Sequence, residues 1–227
     1  MVDQRKENYH YEEALKTLRT NIQFAGAEIT SILVTSCYPN EGKSDIVSQL
    51  AKEMGKTGKK VLLLDADIRK SAFIQRFQIE GEVKGLSQYL SGEVAVRDIL
   101  YTTNYENVDM IFAGPVAPNP SELLEGKLFA HLVEGLSQRY DYILIDTPPM
   151  ASVIDAAIVG GVCDGAILVI EDGTVGYRTA QKVKAQLEKS GSRVLGAVLN
   201  KVEMKKGKYY SYDKYGKYSK YGRYGKY

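Results

Sequence analysis

Six short apolar stretches divide this chain, and segments with helical spacing separate most of them. They read "SILVTS" (31–36), "KVLLLDAD" (60–67), "VDMIFAG" (108–114), "YDYILIDTPP" (140–149), "GAILVI" (165–170) and "RVLGAVLNKV" (193–202). Each is rich in β-branched residues and leucine and is too short for a core helix. Apolar runs without polar alternation are strands buried on both faces. When such strands alternate with helices, the result is an α/β domain with a mostly parallel sheet and helices on both faces. The helices fall in the gaps. "YEEALKTLRTNIQFA" (11–25) sets Leu15, Leu18, Ile22 and Ala25 at helical spacing. "KSDIVSQLAKEMGKTG" (43–58) is helical up to a glycine stop at Gly58, "GLSQYLSG" (85–92) is a short helix, and "YRTAQKVKAQLEKSG" (177–191) is another. The third strand leads into the proline-rich "PVAPNPSELL". Sheets of this kind bind ligands at the carboxyl ends of their strands. The chemistry is therefore expected just after Ser36, Leu64, Ile145 and Leu199.

Three segments at those places carry suitable residues. The first is "EGKS", Glu41, Gly42, Lys43 and Ser44, between a strand and a helix. Backbone amides of such a loop and of the helix start cradle phosphates, a lysine reaches the terminal phosphates, and a hydroxyl sits on Mg²⁺. The usual first glycine of that pattern is missing, because Cys37 stands there. The bland alternative is an ordinary glycine turn before a helix. Asp45 sits awkwardly, since a carboxylate in the first helical turn lies near bound phosphate. The second segment is "LLLDADIR". Asp65 and Asp67 share one strand face, so both carboxylates can address one centre. The third is "ILIDTPP", where Asp146 ends another apolar strand, a place from which a carboxylate holds Mg²⁺ in nucleotide hydrolases. A single aspartate at a strand end is usually a helix cap or turn residue. Three beside one phosphate loop point to a site.

The chain ends in "KYYSYDKYGKYSKYGRYGKY". Tyr209, Tyr212, Tyr215, Tyr218, Tyr221, Tyr224 and Tyr227 stand three residues apart, with Tyr210 as an extra. A period of three aligns rings neither on an α-helix nor on a strand. After Met204 there is no Ala, Val, Ile, Leu, Met or Phe, so the segment has little to bury and reads as a disordered tail. This splits the chain into a domain over 1–204 and a tail over 205–227. The tail holds eight Lys/Arg against one Asp, a net +7, on a body with a net −5. A basic tail can fold back on the body or meet an anionic surface. No apolar run is long enough for a bilayer, and no N-terminal stretch reads as a signal peptide. Two cysteines, Cys37 and Cys163, without metal-ligand spacing, suit a reducing cytosol.

Taken together, "TSCYPNEGKS", "LLLDADIRKS" and "ILIDTPPM" resemble the Walker A, Walker A′ and Walker B motifs of the bacterial protein-tyrosine kinases encoded with capsule and exopolysaccharide genes. "KTLRTNIQF", "GLSQYLSG", "PNPSELL", "VIDA" and "VLNK" are similar to that family too, so the likeness covers nearly the whole chain. It looks like the short Gram-positive form, whose membrane-spanning activator is a separate protein. The resemblance implies a P-loop NTPase fold, ATP and Mg²⁺ as cofactors, and nucleotide binding by Asn40, Glu41, Gly42, Lys43, Ser44 and Asp45. It implies Mg²⁺ held by Ser44, Asp67 and Asp146, and Asp65 as the base that takes the tyrosyl proton. Asn200 of "LNK" would contact adenine. The catalytic set is then Lys43, Asp65, Asp67 and Asp146. The tail tyrosines become substrates of neighbouring copies, which answers why their period needs no fold. The implied partners are copies of the chain, in a ring or a smaller assembly, the transmembrane activator and a cognate tyrosine phosphatase, with no specific nucleic acid. The implied location is the cytoplasm, with recruitment to the inner membrane face.

Four positions depart from the family pattern. Asn40 replaces a glycine, although Asn tolerates the left-handed conformation. Asp45 replaces a hydroxyl residue and Ser71 a proline. Lys16 replaces the first arginine of the oligomerisation motif, leaving Glu13, Lys16 and Arg19 at helical spacing; lysine keeps the charge without the fork geometry. The plain alternative for that helix is a solvent-facing charged stripe. Three other functions stay open at this point. One is a regulatory ATPase of the cell-division or chromosome-segregation kind, whose second signature lysine would stand where Tyr38 is. Another is a degenerate nucleotide-binding scaffold, with Asp45 as the sign of decay. The last is an ATPase whose tail binds RNA or other anions through interleaved tyrosine and lysine.

Overall fold

The computed structural model describes residues 4–203, with side chains from Tyr9 onward. The tyrosine-rich C-terminal segment, Tyr209 to Tyr227 included, lies outside the described residues. Helix α1 (Gln4–Ala25) begins seven residues before the apolar spacing does, and strand β1 (Ser31–Ser36) follows. Then come α2 (Lys43–Gly55), β2 (Val61–Asp65), α3 (Phe73–Arg76), α4 (Leu86–Leu90), β3 (Tyr101–Thr102) and β4 (Val108–Ile111). The second half holds α5 (Pro120–Glu125), α6 (Lys127–Ser137), β5 (Tyr142–Asp146), α7 (Asp155–Gly160), β6 (Gly165–Glu171), α8 (Tyr177–Lys189) and β7 (Val194–Asn200).

Among the described residues these strands form one sheet in the order β3-β4-β2-β5-β1-β6-β7, parallel except for the β3–β4 pair. Side chains alternate across each strand, and the two faces feed two separate cores. Leu33, Leu62, Leu64, Ile143 and Ile145 pack toward α4–α8, where Phe129 and Leu187 are fully buried. Ile32, Val34, Val61, Leu63 and Leu144 pack on the other face against Ile22 of α1, Leu50 and Met54 of α2, and Phe73 of α3. Both faces of the central strands are thus buried, which is why their sequences lack polar alternation.

Several elements lie where sequence pattern gave no strand or helix. The stretch after the prolines is not only a connection: Pro120 starts α5 and α6 follows at once. Within α6, Phe129, Leu132, Val133 and Leu136 bury at i, i+3, i+4 and i+7, a readable helical stripe. Strand β3 is two residues long and antiparallel, too short to carry a period. Helices α3 and α7, four and six residues long, are also short and are held by tertiary packing.

Candidate functional site

The loop from β1 to α2 turns on two left-handed residues, Asn40 (φ 67°) and Gly42 (φ 90°). Asn40 therefore adopts the conformation in which Asn stands in for glycine. Gly42 immediately precedes α2, whose N-terminus has no side-chain cap. The amides of Lys43 and Ser44 have no carbonyl four residues back within the helix, so they and the positive helix end are free for an anion. The loop is braced from inside. The Glu41 carboxylate Oε2 accepts the Cys37 amide at 2.7 Å and the Tyr38 amide at 3.1 Å. Its Oε1 is buried and has no hydrogen-bond partner among the described residues. The Asn200 Nδ2 donates to the Glu41 carbonyl at 2.9 Å, and the Lys201 ammonium donates to the Asn40 carbonyl at 2.6 Å. The Cys37 thiol is pushed up to about 11 by burial and by the Glu41 charge, so it stays protonated and is no nucleophile.

Glycine at 42 is required twice over. Its φ is positive, and a Cβ there would lie 2.2 Å from Asn200 Nδ2. Gly42→Ala is expected to lose about 1–3 kcal/mol through backbone strain. It is also expected to weaken nucleotide affinity by about tenfold or more, since 1.4 kcal/mol is a factor of ten. Titration with a fluorescent ADP analogue and a melting curve measure the two effects.

The carboxylates arrive from two neighbouring strands. Asp65 of β2 and Asp146 of β5 are register partners, so both point to the face that carries α2. There the Lys43 Nζ lies 3.3 Å from Asp146 Oδ2 and 3.9 Å from Asp67 Oδ2. The Lys43 ammonium donates to Ser44 Oγ at 3.1 Å, and Ser44 Oγ donates to Asp146 Oδ2 at 2.6 Å. Burial raises the Asp146 carboxyl, and Lys43 and Ser44 oppose the rise. Burial, and then the charge of Asp146, push Asp65 up to about 8. Three clustered carboxylates against one ammonium leave room for another cation. The oxygens of Ser44, Asp67 and Asp146 suit a hard divalent ion. Among the described residues no group of three or more His, Cys, Asp or Glu forms a metal cage.

A cleft of about 640 Å³ opens over this cluster, lined by Lys43, Ser44, Asp67, Arg69, Ser71 and Arg76 among others. Asp65 is not among its lining residues and is 0% exposed. Sequence reasoning placed Asp65 and Asp67 at one centre; the structure gives Asp67 to the cleft and seats Asp65 behind it. Asp45 stays on the cleft wall, and its charge is matched there by an ion pair with Arg76 of α3. Arg69 escaped assignment. Its Nε and Nη2 donate to Asp155 at 2.6 and 3.0 Å, Nη2 also donates to Ser121 at 2.8 Å, and Ser121 donates to Asp155 at 2.7 Å. That network ties the "DADIR", "PSELL" and "VIDA" stretches together beside the cleft, which Arg69 itself lines. The helix α1 trio makes two contacts within the chain, and Glu13 and Lys16 stay half-exposed. Glu13 pairs with Lys16 at 2.8 Å, and Arg19, 20% exposed, reaches Glu53 of α2 at 3.5 Å.

Comparison with known proteins decides among the open readings. A family profile described as an AAA domain matches residues 40–189. The tyrosine-protein kinase CpsD of Streptococcus agalactiae is 42% identical over 201 residues, 88% of this chain and 88% of the relative. This chain belongs to the bacterial tyrosine-protein kinases. The kinase superposes on the kinase domain of Escherichia coli tyrosine kinase ETK with a TM-score of 0.82 at 34% identity, covering 88% of this chain and 79% of that one. The cell-division ATPase reading is the more distant likeness. The septum site-determining protein MinD of Pyrococcus horikoshii, solved with Mg-ADP, gives a TM-score of 0.65 at 26% identity over 75% of this kinase and 70% of that chain. The kinase thus has a nucleotide-binding P-loop fold. Among its described residues no helix is long and apolar enough to cross a membrane.

Proposed function

We propose that this kinase transfers the γ-phosphoryl group of ATP to tyrosines in residues 205–227 of neighbouring copies, and that the phosphorylation state regulates capsular or exopolysaccharide synthesis. The supporting observation is the convergence of Lys43, Ser44, Asp67 and Asp146 at the uncapped start of α2. In this reading residues 1–204 are the catalytic domain. The amides of Gly42, Lys43 and Ser44 hold the phosphates, and Lys43 moves from Asp146 to the terminal phosphates. Ser44, Asp67 and Asp146 hold Mg²⁺, which supplies charge neutralisation of the phosphates. Asn40 and Glu41 shape the loop, and Asn200 closes it while its Oδ1 stays available to the adenine amino group. Asp45, paired with Arg76 on the cleft wall, has its charge offset beside the phosphates. Asp65 receives the tyrosyl proton as the bond to the leaving ADP loosens.

Tyr209, Tyr210, Tyr212, Tyr215, Tyr218, Tyr221, Tyr224 and Tyr227 are the proposed acceptors. With Arg19 engaged by Glu53, self-association through α1 rests on Glu13 and Lys16, which must exchange their mutual contact for one with a neighbour. A membrane-spanning activator recruits the kinase to the inner membrane face, and a tyrosine phosphatase resets the tail. Transfer between copies is tested by mixing a Lys43→Met chain that keeps its tail with an active chain truncated after Lys206. Phosphate on the intact tail is the expected result. Its absence, with the active full-length chain labelled in parallel, contradicts transfer between copies.

A further inference from the structure

We propose that Ser71 is a catalytic residue of this kinase: its hydroxyl meets the acceptor phenol and passes the phenolic proton to Asp65. The inference rests on the tyrosine-transfer reading and on the hydrogen-bond inventory around Asp65. That carboxylate is fully buried and does not line the cleft. Both of its oxygens are engaged by groups that stand between it and the cleft. Oδ1 accepts the Asp67 amide at 3.1 Å, and Oδ2 accepts the Ser71 hydroxyl. A phenol in the cleft therefore meets Ser71 before it meets Asp65, because Ser71 lines the cleft wall.

The Ser71 hydroxyl has one proton to give and two lone pairs. The proton goes to Asp65. One lone pair accepts the Phe73 amide at 3.2 Å, which fixes the hydroxyl at the start of α3. The second lone pair has no donor among the described residues, and a phenolic O–H is a donor of the right kind. The step balances. The phenol oxygen bonds to the γ-phosphorus as the bond to the ADP oxygen breaks. The phenolic proton passes to Ser71 Oγ, and the Ser71 proton passes to Asp65 Oδ2. The products are phosphotyrosine, ADP and a protonated Asp65, which returns its proton to water along the same path.

The test is single-turnover transfer from Mg·ATP to the tail of a Lys43→Met chain, with full-length Ser71→Ala, Ser71→Thr and Asp65→Asn enzymes. Ser71→Ala is expected to slow transfer by about 10²-fold, the low end of a lost proton-transfer group. ADP affinity should stay at its parent value, the melting temperature should fall by about 2–4 °C per lost hydrogen bond, and Ser71→Thr should restore most of the rate. In mixed light and heavy water the parent rate should fall along a bowed curve, as two moving protons require. A Ser71→Ala rate equal to the parent's, with Asp65→Asn inactive, overturns the relay and leaves the kinase reading intact. A linear isotope curve overturns it as well. Parallel losses of rate and ADP affinity in Ser71→Ala also overturn it and reduce Ser71 to a cap of α3. Full activity in Asp65→Asn overturns the relay together with the assignment of Asp65 as base.

Discussion

Lys43→Met is expected to abolish tyrosine phosphorylation while the fold survives. The Lys43 ammonium is the cation that sits among Ser44, Asp67 and Asp146, so it is the group placed to follow charge onto the transferred phosphoryl. Loss of one such preorganised donor costs on the order of 10²–10³ in rate. A lysine that also compensates the ground-state phosphates adds to that loss, so the product should fall below detection. Packing is little affected. The aliphatic stem is replaced by one of similar length, and Asp146 keeps its hydrogen bond from Ser44. Phosphotyrosine detection and circular dichroism on the same sample separate the two quantities. Unchanged phosphorylation would sink the assignment of the phosphate loop.

Asp65→Asn is the second large effect, and it should separate chemistry from binding. Transfer is expected to drop by about 10²–10⁴-fold, the usual worth of a general base. Nucleotide affinity should hold, because Asp65 does not line the cleft and Lys43 pairs with Asp146 and Asp67. The amide can keep the Asp67 N–H on its oxygen and turn its N–H₂ toward Ser71. That reverses the Ser71 hydrogen bond and uses the lone pair otherwise open to the phenol. Stability should not fall. A buried carboxylate beside Asp146 raises its own proton affinity through burial and like charge, and a neutral amide removes both terms. The expected pattern is therefore lost transfer, retained ADP binding and an equal or higher melting temperature. Equal losses of ADP affinity and transfer would assign Asp65 to metal binding instead.

Much of this arrangement was readable in the chain. The strands that carry Asp65 and Asp146 are buried on both faces, so their composition alone marks them, and the rule that parallel sheets bind ligands at the carboxyl ends of their strands then locates the cleft. Tertiary facts were less accessible. Period and composition give no sign that Asp65 turns inward to Ser71, since that depends on how the chain bends after β2 into α3. Arg69 was visible as a cation next to two aspartates, yet its partners Ser121 and Asp155 lie 52 and 86 residues away in sequence. The α1 trio, read from the sequence as an oligomerisation motif, has a contact that spacing does not show: α1 packs on α2, and Arg19 reaches Glu53. Helix α6 went unread, although Phe129, Leu132, Val133 and Leu136 stand at helical spacing.

The central claim is that the nucleotide site serves tyrosine and not water. The most direct measurement incubates the purified full-length kinase with Mg·ATP, counts ADP released, and maps phosphate by mass spectrometry. The account predicts phosphotyrosine within residues 205–227, with ADP formed in step with phosphate incorporated and neither formed by Lys43→Met. Sustained ADP release with an unmodified tail would make the protein an ATPase and contradict the account.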